Sequence, residues 1–226
     1  MKLKNLFIYC AAAVIAASCC CKTSVAPAIP QDKEIEAKIE KILKRMTLEE
    51  KVGQMTQITA TALANGVELT PAGDSILRTY KIGSVLNTLA DCAQTPEAFN
   101  NFIKEVNRIS LEETGIPTLY GLDHGTSYVL GGILFPQEIN IAASFNREHA
   151  YNMGAVTAYE SRAANVPWTF SPTMDLGRNP EWPRMWESFG EDTYLNAQMA
   201  VAEVKGMQGD DPNHVGPFNI AACAKH

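Results

Sequence analysis

The chain has 226 residues, of which 46% are hydrophobic and 19% charged; that globular balance excludes disorder, collagen-like repeats and a coiled coil as readings of the whole. Lys and Arg number 19 against 25 Asp and Glu, a formal net charge of −6 with no basic cluster, which excludes a nucleic-acid partner held through phosphate contacts. The length falls short of a complete (β/α)8 barrel, which typically needs about 250 residues.

Lys2 and Lys4 precede an apolar run from Leu6 to Ala17, too short for a bilayer span of about 20 residues. Basic, apolar and small residues in that order describe a signal peptide. Ala16-Ala17-Ser18-Cys19 is similar to a bacterial lipobox, whose cysteine is acylated after cleavage. The expectation is a signal peptide over 1–18, lipidation at Cys19, a tether over 19–32 and a folded domain over 33–226; a non-lipidated signal cut nearby is the other reading. Such a protein would be exported, as a periplasmic or outer-membrane lipoprotein of a bacterium, touching the membrane through the anchor alone. Cys92 and Cys223 remain in the body, expected as buried free thiols; one candidate pair is no disulfide framework, and neither has a partner at metal-ligand spacing.

Ile35, Ile39, Ile42 and Leu43 stand at helical spacing within Glu34–Arg45, and Thr47-Leu48-Glu49-Glu50 is a capping box. Short apolar runs at Gly53–Ala60, Ile82–Asn87, Thr118–Asp123, Trp168–Met174 and Phe218–Ala224 predict strands. Helices are predicted between them: Ala72–Tyr80, a helix opened by Thr95-Pro96-Glu97 with Phe99, Phe102, Ile103 and Val106 on one face, one from Asn146 to about Ala164, and one from Glu191-Asp192 to about Met207. The alternation predicts an α/β fold with a parallel sheet and crossover helices.

Polar residues gather where these strands end. Asp123 and His124 close the third, Asp175 and Arg178 follow the fourth, and Lys225-His226 closes the fifth. Sites in parallel α/β folds are built at carboxyl ends of strands, so three such ends point at one pocket. Carboxylate, guanidinium, ammonium and imidazole, with Trp168, Trp182 and Trp186 near in sequence, suit a ligand bearing many hydroxyls: Asp accepts, Arg and Lys donate, and an indole face packs on a pyranose ring. Phosphate loops, paired metal-ligand motifs and a Gly-x-Ser-x-Gly elbow are absent from the sequence, so no cofactor or metal is expected.

These residues also carry a resemblance. Met46-Thr47-Leu48-Glu49-Glu50-Lys51-Val52-Gly53-Gln54-Met55, Tyr120-Gly121-Leu122-Asp123-His124-Gly125, Leu134-Phe135-Pro136-Gln137 and Ala142-Ala143-Ser144-Phe145-Asn146 resemble the amino-terminal domain of family 3 glycoside hydrolases, the β-glucosidase family. So do the run Phe170 to Arg184, the segment Glu187-Ser188-Phe189-Gly190-Glu191-Asp192 and the pair Lys225-His226. The resemblance spans about residues 33–226 and implies an incomplete (β/α)8 TIM-type barrel with about five strands present.

It further implies that Asp123, Arg184, Lys225 and His226 bind the sugar to be cleaved, with Glu187 holding Arg184 from behind. Two departures accompany it. The family has two residues between its aspartate and the His-Gly, whereas Asp123 is followed at once by His124; such a deletion can move the carboxylate, and errors near 1 Å can cost about a hundredfold in rate. Retaining glycosidases also need two carboxyl groups about 5–5.5 Å apart. In the family these come after the Lys-His pair, and every Asp and Glu in 1–226 belongs to an earlier motif or a solvated helix, so no catalytic pair is expected here. The expectation is a fragment of a retaining β-glycosidase acting on terminal β-D-glucosyl residues of a β-linked glucoside or oligosaccharide, inactive by itself and prone to associate through open sheet edges. Alternatives are a non-catalytic sugar-binding lipoprotein and a β-xylosidase or β-N-acetylglucosaminidase relative.

Overall fold

The computed structural model of the protein describes residues 31–123 and 128–226. The expected signal peptide, the Cys19 lipidation site, most of the tether and His124 lie outside the described residues. The chain divides into two compact units, residues 1–44 and 45–226. Helix α1 (Lys33–Arg45) is capped by Asp32, whose carboxylate accepts from Glu34 N at 2.8 Å, and its apolar stripe Ile35, Ile39 and Leu43 is solvent-exposed.

The second unit begins with α2 (Leu48–Gln54), where Thr47 and Glu50 form a reciprocal capping box. Gly53 belongs to this helix rather than to a strand, and β1 is confined to Gln57–Thr59. A short hairpin, β2 (Ala64–Asn65) and β3 (Glu68–Leu69), turns at Gly66 with φ +64. Then follow α3 (Pro71–Tyr80), β4 (Ser84–Leu86), α4 (Pro96–Thr114), β5 (Leu119–Leu122), α5 (Glu138–Ala143), α6 (Arg147–Ala163), β6 (Trp168–Thr169) and α7 (Thr193–Gln208). The strands form a parallel sheet in the order β1-β4-β5-β6. Neighbouring strands joined through helices in chain order are the opening part of a TIM-type barrel.

Each crossover helix is specified locally. In α4, the Thr95 hydroxyl accepts from Ala98 N at 3.2 Å, Pro96 starts the first turn, and Gly115 ends the helix at φ +73. Its buried face, Phe99, Phe102, Ile103, Val106 and Ile109, covers one side of the sheet together with Val85, Tyr120 and Leu122. Phe99 and Phe102 meet the Tyr120 ring edge-on at 6.1 and 6.3 Å, and the Tyr120 hydroxyl donates to Asn87 O at 2.6 Å. Burying such rings contributes about 2–3 kcal/mol each. On the opposite face of β5, a Cβ at Gly121 would stand 2.5 Å from the Phe170 ring, so any side chain here would have to displace Phe170 and Trp168.

The fourth predicted strand, Trp168–Met174, is regular only at Trp168–Thr169. The fifth, Phe218–Ala224, continues the parallel order through isolated bridges, Trp168 with Ala221 and Thr173 with Lys225. Five residue steps on one side oppose four on the other, which is a bulge, and Pro172 has no N–H to give the ladder. The thiols also differ from expectation: both cysteines are free, but Cys92 is exposed after a 3-10 turn at Leu89–Asp91 and Cys223 is half-buried.

Helices α6 and α7 are in backbone contact. A Cβ on Gly154 would lie 2.3 Å from Glu203 O, and one on Gly206 would lie 2.1 Å from Tyr151 O. No helix among the described residues is long and apolar enough to cross a membrane.

Candidate functional site

Asp123 follows directly on β5, Asp175 follows the bulged segment after β6, and Lys225-His226 ends the strip bridged to that segment. The parallel register therefore delivers all four side chains to the same end of the sheet. Lys225 Nζ donates to Asp123 Oδ1 at 2.8 Å, with the lysine side chain 15% and the aspartate 40% exposed. The Asp123 carboxylate reaches the common cluster despite the shortened Asp-His spacing.

The second half of the cluster is built on His226. Its Nδ1 lies 2.8 Å from Asp175 Oδ2 and its Nε2 lies 2.9 Å from Arg184 Nη1. A guanidinium can only donate, so Nε2 accepts and Nδ1 carries the proton; the contacts thus select the neutral Nδ1–H tautomer. Arg184 is turned the other way by Glu187, which accepts from Nε at 2.9 Å through each carboxylate oxygen and from Nη2 as well. Glu187, on a 3-10 turn at Met185–Glu187, is buried. Its hydrogen bonds hold the Arg184 guanidinium above its ordinary pKa, and the charges of Glu187, Asp123 and Asp175 add to this. The Asp123 and Asp175 charges act on Arg184 because all three groups share one locality.

Asp175 is itself tied down: Asn196, buried on α7, donates its side-chain amide to Asp175 O at 3.1 Å. The sequence placed Asp175 at a strand end without assigning it a partner, since nothing local foretells a contact with a residue 51 positions later. Arg178, the other residue singled out there, is exposed and donates from Nε to Glu191 O at 3.2 Å. The tryptophans are engaged close to home. Trp168 packs edge-on against Phe170 at 4.7 Å, and the half-exposed Trp186 donates its indole N–H to Pro183 O at 3.1 Å.

The resulting surface is a row of polar side chains, Asp123, Lys225, His226 and Arg184, with Asp175 behind the imidazole and the buried Glu187 behind the guanidinium. Arg184 keeps one N–H on each of Nη1 and Nη2 beyond its contacts to His226 and Glu187. Such a surface can accept from and donate to vicinal hydroxyls. The described residues contain no group of three or more His, Cys, Asp and Glu able to hold a metal ion.

The fold defines a class, α/β domains of incomplete TIM-barrel type with polar side chains gathered at the strand ends, and comparison with known proteins gives the particular family. The glycosyl hydrolase family 3 N terminal domain matches residues 47–226. The chain is 35% identical to a lysosomal beta glucosidase of Dictyostelium discoideum, over 83% of this chain and 25% of that protein. It is 30% identical to a periplasmic beta-glucosidase of Salmonella typhimurium, over 88% and 24% respectively. Among solved structures, the exo-1,3/1,4-beta-glucanase of a Pseudoalteromonas species superposes with a TM-score of 0.78 at 33% identity, covering 89% of this chain and 26% of that one. The chain belongs to glycoside hydrolase family 3. It spans about a quarter of the length of the curated relatives it matches.

Proposed function

We propose that this chain forms the sugar-binding wall of a retaining β-glycosidase of β-glucosidase type, acting on terminal non-reducing β-D-glucosyl residues. The observation that carries it is the convergence of Asp123 from one strand end, Lys225-His226 from another and Arg184 from the loop before the Met185–Glu187 turn, joined as the Lys225–Asp123 pair and the adjoining Asp175–His226–Arg184 chain. In this reading Asp123 accepts from, and Lys225, Arg184 and His226 contact, the hydroxyls of the sugar held for cleavage, while Glu187 fixes the direction of Arg184. Substrate binding then inserts hydroxyls into a network whose geometry is already set, so little reorganisation is left for the reaction.

The carboxylate nucleophile and the acid/base are not among residues 1–226 in this reading, and the chain alone is inactive. The described carboxylates support this: Asp123, Asp175 and Glu187 are each committed to a cation or imidazole. The chain is an exported domain, with residues 1–18 as its signal and Cys19 as a lipid anchor; the Salmonella relative, named periplasmic, is consistent with export.

The test has two arms. Purified 226-residue chain should release no nitrophenol from an aryl β-glucoside; release abolished by Lys225→Ala overturns the missing-pair reading. A protein encoded by the continued reading frame should hydrolyse the β-glucoside faster than the β-xyloside or β-N-acetylglucosaminide. A preference for either of those replaces the glucosidase assignment.

A further inference from the structure

A buried acid stands on the seam between α6 and α7, away from the strand-end cluster. Glu203, on α7, is 1% exposed and lines a cavity of about 70 Å³. A Cβ on Gly154 would lie 2.3 Å from Glu203 O, so the residue sits at the point where the two helices touch backbone to backbone. Hydrating the acid means parting them.

The cavity offers an anion no support. Facing Glu203 across it are Gln137 and Glu138 where α5 begins, Met153 and Thr157 of α6, and Ser171 of the bridged strip; no Lys, Arg or His is among the described residues that line it. Glu138, the other ionisable group there, is acidic and engaged in an interaction of its own. Glu203 Oε2 is shielded from solvent and has no hydrogen-bond partner among the described residues. A carboxylate spreads its charge over both oxygens, and a buried charge without a cation or donor costs far more than a neutral acid. Burial, with the Glu138 charge added, accordingly pushes the Glu203 carboxyl well above the usual range. Gln137 Oε1, an acceptor shielded in the same way, is matched by an acid O–H and not by an anion. The cavity of about 70 Å³ is ample for one relaying water, which needs about 10–15 Å³.

We propose that Glu203 is carried in the fold as a neutral carboxylic acid, and that its proton makes the α6–α7 seam a pH-sensitive joint, firm in acid and loosened as the pH rises. Helix α7 also carries Asn196, which donates to Asp175 O, and Ser171 O accepts from Cys223 N at 2.8 Å, two residues before Lys225. Loosening the seam therefore slackens the ties behind the strand-end cluster. An acid whose folded value is raised contributes stability that is full below the unfolded value of 4.5 and is lost as the pH climbs toward the folded one.

Two measurements on the 226-residue chain test this. Infrared spectra at about pH 6, where ordinary carboxylates are ionised, should show a protonated-carboxyl C=O band that Glu203→Gln removes. Absence of the band from the folded parent overturns the proposal, and so does its persistence in the folded variant, because another group then holds the proton. In urea unfolding above pH 4.5, the unfolding constant of the parent should rise relative to that of Glu203→Gln by up to about tenfold per pH unit. Glu203→Leu makes the same comparison should the glutamine variant not fold. A ratio constant up to about pH 8, far beyond the ordinary carboxylate range, overturns the proposal equally, since Glu203 then titrates alike in the folded and unfolded chain.

Discussion

The Nδ1 of His226 donates to Asp175 Oδ2 at 2.8 Å while its Nε2 accepts from Arg184 at 2.9 Å. Asp175 therefore acts on Arg184 through the imidazole: it fixes which ring nitrogen is bare, and the bare nitrogen fixes one side of the guanidinium. Which ring nitrogen carries the proton is set by the hydrogen bonds the ring makes, so the tautomer is a property of the fold.

Nitrogen-15 spectra of the ring should show His226 as the Nδ1–H tautomer at neutral pH. Asp175→Ala should abolish that signature and, in an enzyme carrying the remaining barrel, weaken sugar binding about tenfold, the value of one charge-assisted hydrogen bond. Observing the Nε2–H tautomer in the unaltered chain would show that the wiring runs differently.

Lys225→Ala leaves the Asp123 carboxylate without its ammonium partner and, under the proposed function, removes a donor to the sugar. The predicted loss in kcat/KM of the complete enzyme is about tenfold to a hundredfold, since hydrogen bonds to charged groups are worth about 1.5–3 kcal/mol. Lys225→Arg should recover little, because a planar fork does not replace a point donor at this site. Steady-state kinetics on an aryl β-glucoside decides it.

Gly154→Ala places a methyl 2.3 Å from Glu203 O, a backbone atom that cannot rotate away. The helices must separate, at a cost of about 1–3 kcal/mol, read as a lower urea midpoint. Gly66→Ala has open space around it and should cost less, through its positive φ alone.

Glu113 accepts from Lys81 Nζ and from Arg78, and these contacts hold its carboxyl below the ordinary 4.5. A depressed pKa in the folded state contributes stability above the unfolded value and loses it as the pH falls through the folded one. Glu113→Gln should therefore be less stable than the parent at pH 7, with the gap closing as the pH is lowered below about 4.5. Urea unfolding at several pH values measures this; a gap constant down to about pH 3, well below the ordinary carboxylate range, would contradict the ion-pair origin.

Much of the fold was legible residue by residue, because its signals are local. Thr47 with Glu50, Thr95 with Pro96, Asn146 and Asp192 each cap the helix they precede, and the helical period of α4 matches its buried face. What escaped was the raggedness of the strands. Gly53 ended as helix because a helical turn lets its bare Cα sit against Tyr80 O. The strip after Trp168 lost its ladder to a bulge and to Pro172, which periodicity cannot register. The burial of Cys92 was misjudged for a related reason: apolar neighbours in sequence do not fix which side of a loop faces water.

The site divides the same way. By itself the sequence determined that carboxylate, ammonium and imidazole would stand at strand ends, since the alternation of elements forces those ends to one side of a parallel sheet; the guanidinium it placed there, Arg178, points to Glu191 instead, and Arg184 reaches the cluster from a loop. Only the tertiary structure decided the pairing: Lys225 with Asp123 across 102 positions, His226 between Asp175 and Arg184, and Glu203 facing a cavity with Glu138 and Gln137. Such contacts depend on register and on which face of a helix is buried, and both are settled by packing among distant segments rather than by neighbours along the chain.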